Sequence, residues 1–201
     1  MTHSGRKIKD HYFYQAKREG FPARSVYKLK EIDQRHRLFK PGDAVLDLGA
    51  SPGSWLQFVG QAVGRNGHIT GVDLKPLSGP VPANARFILA DIFTLGLEEL
   101  VPPAGGFDVV LSDMAPQTTG IKITDATRSY ELAHTALMMS LKHLKEGGHF
   151  VAKIFQGPDF PTFLSEVKKA YRTVKAFKPD STRRESKEVF IVALGKKRLT
   201  E

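Results

Sequence analysis

Gly49-Ala50-Ser51-Pro52-Gly53, Asp73, Asp91 and Asp113 each end, or directly follow, a short apolar run of the chain. A glycine-rich loop after a strand lets backbone approach a ligand closely. An acid after the next strand accepts hydrogen bonds from ribose hydroxyls. Dinucleotides and S-adenosylmethionine both use such features. Dinucleotide sites want G-x-G-x-x-G, so that a helix N-terminus faces the pyrophosphate. Here the spacing is Gly49-x-x-x-Gly53, with Pro52 inside. S-adenosylmethionine carries no phosphate and does not require the dinucleotide spacing, so hydride transfer from a nicotinamide is the weaker reading. Taken singly, these residues have plainer uses: Gly49 and Gly53 as turn glycines, Asp73 and Asp91 as helix N-caps, Trp55 as core. Four polar strand ends on one sheet edge point instead to a ligand site.

The elements that must position these residues can be read from hydropathy. Ala44–Leu48, Ile69–Asp73, Arg86–Leu89, Phe107–Ser112, His149–Phe155, Thr173–Phe177 and Val189–Leu194 read as strands. Ser54–Val63, about Asp125–Leu144, and Asp159–Ala170 read as helices, with Gly147-Gly148 expected to stop the second. Strands alternating with helices predict an α/β doubly wound sheet, and nearly all-apolar strands predict cover on both faces. Ligands bind beyond the carboxyl ends of such strands. Residues 1–40 read as a separate basic helical extension, with helices at Tyr12–Glu19 and Ser25–His36, split by Gly20-Phe21-Pro22. Ser25 is the expected N-cap, and Val26, Leu29 and Ile32 form one buried stripe. Residues 41–201 read as one domain.

Composition excludes several classes. The chain has 201 residues, 41% hydrophobic and 25% charged, enough for one globular core and unlike a disordered or fibrous chain. No apolar run approaches the roughly 18–20 residues of a membrane span. Cysteine is absent, which removes disulfides, zinc–thiolate sites and cysteine nucleophiles. The histidines (His3, His11, His36, His68, His134, His143 and His149) form no ligand-spaced cluster, so no metal is expected. The opening Met1-Thr2-His3-Ser4-Gly5-Arg6-Lys7 has no apolar stretch of the signal-peptide kind. A reducing cytoplasm and a monomer are the expectations. The net charge is +9, and residues 1–40 hold +7 of it, with 11 Lys or Arg against 4 acids. Such a segment suits phosphate backbones; the alternative is a solvated basic face.

Five motifs in order carry a resemblance over about Asp10 to Lys197: Arg24-Ser25-Val26-Tyr27-Lys28-Leu29; Val45-Leu46-Asp47-Leu48-Gly49-Ala50-Ser51-Pro52-Gly53-Ser54-Trp55; Ser112-Asp113-Met114-Ala115-Pro116; Val151-Ala152-Lys153-Ile154-Phe155-Gln156-Gly157; and Lys178-Pro179-Asp180-Ser181 leading to Ser186-Lys187-Glu188-Val189-Phe190. In these the chain resembles the FtsJ/RrmJ family of RNA 2′-O-ribose methyltransferases, above all the compact bacterial members that act on a uridine of large-subunit ribosomal RNA. The family loop often reads Gly-Ala-Ala-Pro-Gly-Gly-Trp; here Ser51 and Ser54 replace an alanine and a glycine, the second swap narrowing backbone freedom beside the cofactor.

The resemblance implies a Rossmann-like methyltransferase fold with a seven-stranded, mostly parallel sheet and helices on both faces. It implies S-adenosyl-L-methionine as cofactor, with Gly49 in its site, Gly53 and Trp55 at its methionine part, Asp73 on the ribose hydroxyls, Asp91 at the adenine edge and Asp113 near the sulfonium. It implies a catalytic tetrad of Lys28, Asp113, Lys153 and Glu188, and ribosomal RNA or the large ribosomal subunit as partner. On bare sequence, Lys28 is equally a solvated helix lysine, and Glu188 a partner for Arg183 or Arg184. A free lysine titrates near about 10.4, so Lys153 is read as a cation that orients the 2′-hydroxyl and stabilises the incipient alkoxide. Candidate RNA contacts are Arg24, Lys28, Lys30, Arg183, Arg184, Lys187 and the tail Lys196, Lys197 and Arg198. Tyr12, Phe13, Tyr14 and Phe21 either stack on bases or staple the N-terminal helices to the sheet. The rival functions are transfer-RNA 2′-O-methylation, a non-catalytic RNA-binding or ribosome-assembly role, and dinucleotide oxidoreduction.

Overall fold

A computed structural model of the chain describes residues 4–95, 100 and 105–198, with side chains from His11 onward. Met1–His3 of the opening stretch lie outside the described residues. The elements run α1 (Ser4–Arg18), α2 (Val26–His36), β1 (Ala44–Leu48), α3 (Ser54–Val63), β2 (His68–Asp73), β3 (Ala85–Leu89), β4 (Phe107–Ser112), α4 (Lys122–His143), β5 (Leu144–Phe155), α5 (Phe160–Ala170), β6 (Tyr171–Phe177) and β7 (Glu188–Lys196). One seven-stranded sheet has the order β3-β2-β1-β4-β5-β7-β6. The first five strands are parallel; β7 runs antiparallel to both β5 and β6. This is the mostly parallel doubly wound sheet that the sequence predicts.

The nearly all-apolar strands follow from cover on both faces. Leu46, Leu48, Val110, Phe150 and Ile154 pack with Ala133, Leu137, Phe163 and Val167, which come from α4 and α5. Val45, Val109, Leu111, Val151 and Phe190 pack with Leu29, Ile32, Trp55, Leu56 and Val59, from α2 and α3. Strand alternation thus gives Asp47 the face of Val45, and Lys153 the face of Val151. Both charged residues point to the α2–α3 side.

The N-terminal aromatics divide. Tyr12 packs on Tyr27 with ring centroids 5.2 Å apart, and Phe21 is buried with Ala16 and Val26. Phe13 and Tyr14 remain 54% and 60% exposed. Val26, Leu29 and Ile32 form the expected buried stripe, but Ser25 makes no side-chain cap.

Two expectations about α4 are corrected. The helix begins at Lys122, three residues before Asp125, whose carboxylate accepts the N–H groups of Thr119 (2.7 Å) and Gly120 (3.2 Å) and closes the preceding turn. It ends at His143, and β5 starts at once, so Gly147-Gly148 lie inside the strand at an irregularity opposite Phe107–Val109 rather than stopping the helix. The stop is supplied from far away. The Lys196 ammonium, itself buried, donates to the carbonyls of Leu141 and Leu144 (2.7 Å) and approaches that of Ser140 (3.4 Å). These are the carbonyls a helix end leaves orphaned. Among the described residues no helix is long and apolar enough to cross a membrane, and no group of His, Asp or Glu could hold a metal ion.

Candidate active site

Five parallel strands bring their carboxyl ends to one edge. The register pairs Leu48 with Val72 and Ser112, Asp73 with Leu89, and Ser112 with Ala152. Asp91, Asp73, Gly49, Asp113 and Lys153 therefore follow one another along that edge. The N–H groups of Gly49 and Ala50 both donate to Val72 O (2.9 and 3.1 Å), and Asp113 N–H donates to Leu48 O (3.1 Å).

Gly49 has φ +83°, and a Cβ there would lie 2.9 Å from the Met114 backbone nitrogen. The segment after Asp113 thus crosses directly over the loop, in contact only a glycine allows. Gly53, with φ +111°, turns the chain into α3. Asp73 organises the loop: its Oδ2 accepts the Ser51 N–H (2.9 Å) and its Oδ1 the Lys75 N–H (2.8 Å). Each oxygen keeps a lone pair for a ligand hydroxyl. Asp91 Oδ1 accepts the Phe93 N–H (2.9 Å) at the end of β3. Trp55 is only 3% exposed; its ring packs 5.9 Å from Phe190, and its indole N–H donates to Ser25 O (2.9 Å). Ser54 Oγ accepts the Ala23 N–H (2.7 Å). The family departure at Ser54 therefore ties the N-terminal segment to the loop.

Two ion pairs join the four residues of the expected tetrad. Lys153 Nζ lies 2.9 Å from Asp113 Oδ1 and donates to the Asp113 carbonyl at 2.7 Å. Lys28 on α2 pairs with Glu188 at the start of β7. Glu188 pairs with Lys28, not with Arg183 or Arg184, and Lys28 is not a solvated lysine: its side chain is 13% exposed. The antiparallel register sets Lys153 opposite Phe190 and Phe155 opposite Glu188, so Lys153 and Glu188 share the face that α2 covers.

Beside the second pair lies a cleft of about 390 Å³, lined by Arg24, Lys28, Arg183, Glu185, Ser186 and Glu188. Burial, and then the Arg183 guanidinium, push Arg24 below its ordinary value. Two arginines thus face one opening, and an anion there would relieve both. On the other side of Glu185-Ser186, Lys122, Phe155 and Lys187 line a second cleft of about 260 Å³. Two tail candidates are engaged by helix carbonyls. Lys196 caps α4, and Lys197 Nζ donates to Lys168 O (2.9 Å) and Lys169 O (3.1 Å) at the end of α5.

Sequence reasoning passed over Asp47 and Glu31. Asp47 lies at the centre of the sheet, fully buried, with neither oxygen hydrogen-bonded by a described residue. Burial, then Asp113 and Asp73, push its carboxyl up to about 8. A lone acid in an apolar strand was the available signal. Glu31 has no local signal, because its partners are 149 and 150 residues away.

A sequence model of the FtsJ-like methyltransferase family matches residues 21–196. A chain from Desulfosudis oleivorans named ribosomal RNA large subunit methyltransferase E is 51% identical over 196 residues, covering 98% of this chain and 95% of that one. A Bdellovibrio bacteriovorus chain of the same name is 52% identical over 203 residues, covering 98% and 100%. Among solved structures, a Plasmodium falciparum chain assigned as a ribosomal RNA methyltransferase superposes with TM-score 0.76 at 26% identity, covering 88% of this chain and 98% of that one. Aeropyrum pernix fibrillarin, solved with S-adenosyl-L-methionine natively bound, shares the fold alone, with TM-score 0.57 at 19% identity over 77% of this chain and 67% of that one. The glycine loop, the acids along one sheet edge and the two lysine–carboxylate pairs all fall within the matched span, and the chain belongs to the FtsJ-like methyltransferase family.

Proposed function

We propose that this chain transfers a methyl group from S-adenosyl-L-methionine to the 2′-hydroxyl of a uridine ribose in large-subunit (23S) ribosomal RNA, within the assembled 50S subunit. It acts as a monomer in the cytoplasm. The observation that carries this reading is the pairing of Lys153 with Asp113, and of Lys28 with Glu188, on the face beside the glycine loop. The relatives named above support the RNA substrate.

The loop fits the cofactor: Gly49 and Gly53 offer backbone without a Cβ, and both Asp73 oxygens retain acceptor capacity. Gly49, Gly53 and Trp55 would hold the methionine part, Asp73 the ribose hydroxyls and Asp91 the adenine edge. When bound, the cofactor supplies a methyl on a sulfonium leaving group. The weak partner is then the hydroxyl. In-line alignment supplies roughly 7–11 kcal/mol of the barrier. The Lys153 ammonium faces two acceptor groups of Asp113; it orients the hydroxyl and stabilises the negative charge that grows on its oxygen as the hydroxyl proton passes to water. Lys28, held by Glu188, closes the site on the RNA side. Arg24 and Arg183 take a neighbouring phosphate.

The test is transfer of radiolabelled methyl to large subunits, naked ribosomal RNA and transfer RNA, all from an unmodified strain. Label enters the large subunit. Lys153→Met loses roughly 10²–10³-fold in rate with cofactor affinity intact, and Lys153→Arg stays active across pH. Label confined to transfer RNA moves the substrate to the rival branch, and an inactive, folded Lys153→Arg restores a base role for Lys153. No label anywhere, with cofactor still bound, leaves a binding protein.

A further inference from the structure

We propose that Glu31 is a positioning residue for the RNA side of the site. Its carboxylate clamps the β6–β7 loop to α2 and so sets Arg183 against Arg24 and Glu188 against Lys28. This deepens, and rests on, the RNA methyl-transfer reading.

The clamp is a bracket on two consecutive peptides. Glu31 Oε2 accepts the Asp180 N–H at 2.6 Å, and Oε1 accepts the Ser181 N–H at 3.0 Å. Arg24 closes it from the other side, its Nη2 donating to Ser181 O at 3.1 Å. Both polar groups of the Ser181 backbone are therefore held by residues of the N-terminal segment. Hydrogen bonds to a carboxylate are stronger than neutral ones. Ser181 and Thr182 are buried, so water competes poorly for the Ser181 bond, while the Asp180 bond lies at the surface.

Beyond the bracket the loop is tied to itself. Thr182 N–H donates to Pro179 O and Ser186 N–H to Arg183 O, both at 3.0 Å. The Lys178 ammonium spans to the carbonyls of Arg184 (3.2 Å) and Ser186 (2.7 Å), and Glu188 N–H donates to Ser186 Oγ (3.2 Å). Fixing residues 180 and 181 thus fixes Arg183 and the approach to Glu188 together. Glu31 also lies three residues from Lys28 on α2, a spacing that shares one helix face. One face therefore carries both the bracket and the Lys28–Glu188 pair. The bracket has a load to bear, because Arg183 and Arg24 repel each other across the cleft.

Glu31→Gln is the informative variant. It keeps the size but turns one acceptor into an amide donor facing a peptide N–H. Three readouts on the full chain decide the matter. Amide exchange at residues 180 and 181 accelerates about tenfold or more, and KM for RNA rises about tenfold, while the S-adenosylmethionine Kd stays within about twofold. Arg183→Ala, which weakens wild type about tenfold, costs the Glu31→Gln protein only about twofold, since its arginine is already misplaced. Glu31→Asp, with the charge kept on a shorter arm, recovers part of the KM and serves if the glutamine variant folds poorly. Unchanged exchange at 180 and 181, an unchanged KM, additive Arg183 effects, or a parallel loss of cofactor affinity would each overturn the proposal. If the wild-type chain methylates no RNA yet Glu31→Gln releases those amides, the bracket stands and the RNA reading falls.

Discussion

A carboxylate at the centre of a parallel sheet is costly to ionise, and Asp47 occupies that place with no described hydrogen-bond partner on either oxygen. The charged groups that act on it are the carboxylates of Asp113 and Asp73, which add to the cost of burial. With its carboxyl raised to about 8, the folded chain keeps a proton that the unfolded chain releases near its ordinary 3.8. The native state therefore binds more protons between those two values, and stability falls as pH rises through that window. The loss is at most about 1.4 kcal/mol per pH unit. Asparagine at this position does not titrate. In cofactor-free protein, the stability of wild type relative to Asp47→Asn is expected to decline from pH 5 to pH 8 and then level off. Denaturant melts at several pH values measure it, and a flat difference would mean that Asp47 is ionised throughout. Asp113 is placed differently on the same edge: its carboxylate lies 2.9 Å from the Lys153 ammonium, whereas Asp47 has no such partner among the described residues.

Whether an element could be foreseen depends on how local its causes are. The strands β1 and β4 and the helix α3 have the bounds their apolar runs predict, because a strand covered on both faces is marked by a mostly apolar run. Polar strand ends marked the ligand edge for the same reason. The end of α4 was not legible, because Lys196, more than 50 residues on, supplies the cap. The Glu31 bracket and the Ser54 tether were hidden likewise, each being one polar side chain meeting a backbone group on a distant segment. Lys196 gives the element-scale prediction. Lys196→Met keeps most of the apolar stem but strips the donor from the buried carbonyl of Leu144 and the part-buried one of Leu141. Leaving such acceptors unpaired costs about 2 kcal/mol, which lowers Tm by roughly 4–8 °C in a chain of this size. Methyl transfer at 25 °C is expected to persist, since the cap lies away from the carboxyl edge. A Tm within a degree of wild type would show that the β5–β7 pairing alone ends the helix.

Across the whole molecule, positive charge is divided between structure and solution. Residues 1–40 hold +7 of the net +9. Within them, Lys28 is spent on Glu188, and Lys30 on Glu19 (2.6 Å). In the tail, Lys196 and Lys197 are spent on helix carbonyls. Arg183 is placed differently, facing Arg24 across an open cleft beside the Lys28–Glu188 pair. Phe13 and Tyr14 stand exposed on the basic α1. Net charge alone therefore overstates the number of phosphate contacts, and location separates the contributors. Each phosphate neutralised by a side chain releases counterions and adds about 0.7–0.9 to the slope of log affinity against log salt. Arg183→Ala is expected to weaken RNA binding and lower that slope by about this amount, roughly equally for different RNA sequences. Lys197→Ala, which removes the same charge from the end of α5, leaves the slope where it was. Filter binding or anisotropy titrations over a salt series read both variants. Equal effects would mean that RNA senses the overall field of the protein, with no phosphate seated between Arg24 and Arg183. A drop confined to Arg183 would place the backbone of the RNA in that cleft, beside the Lys28–Glu188 pair.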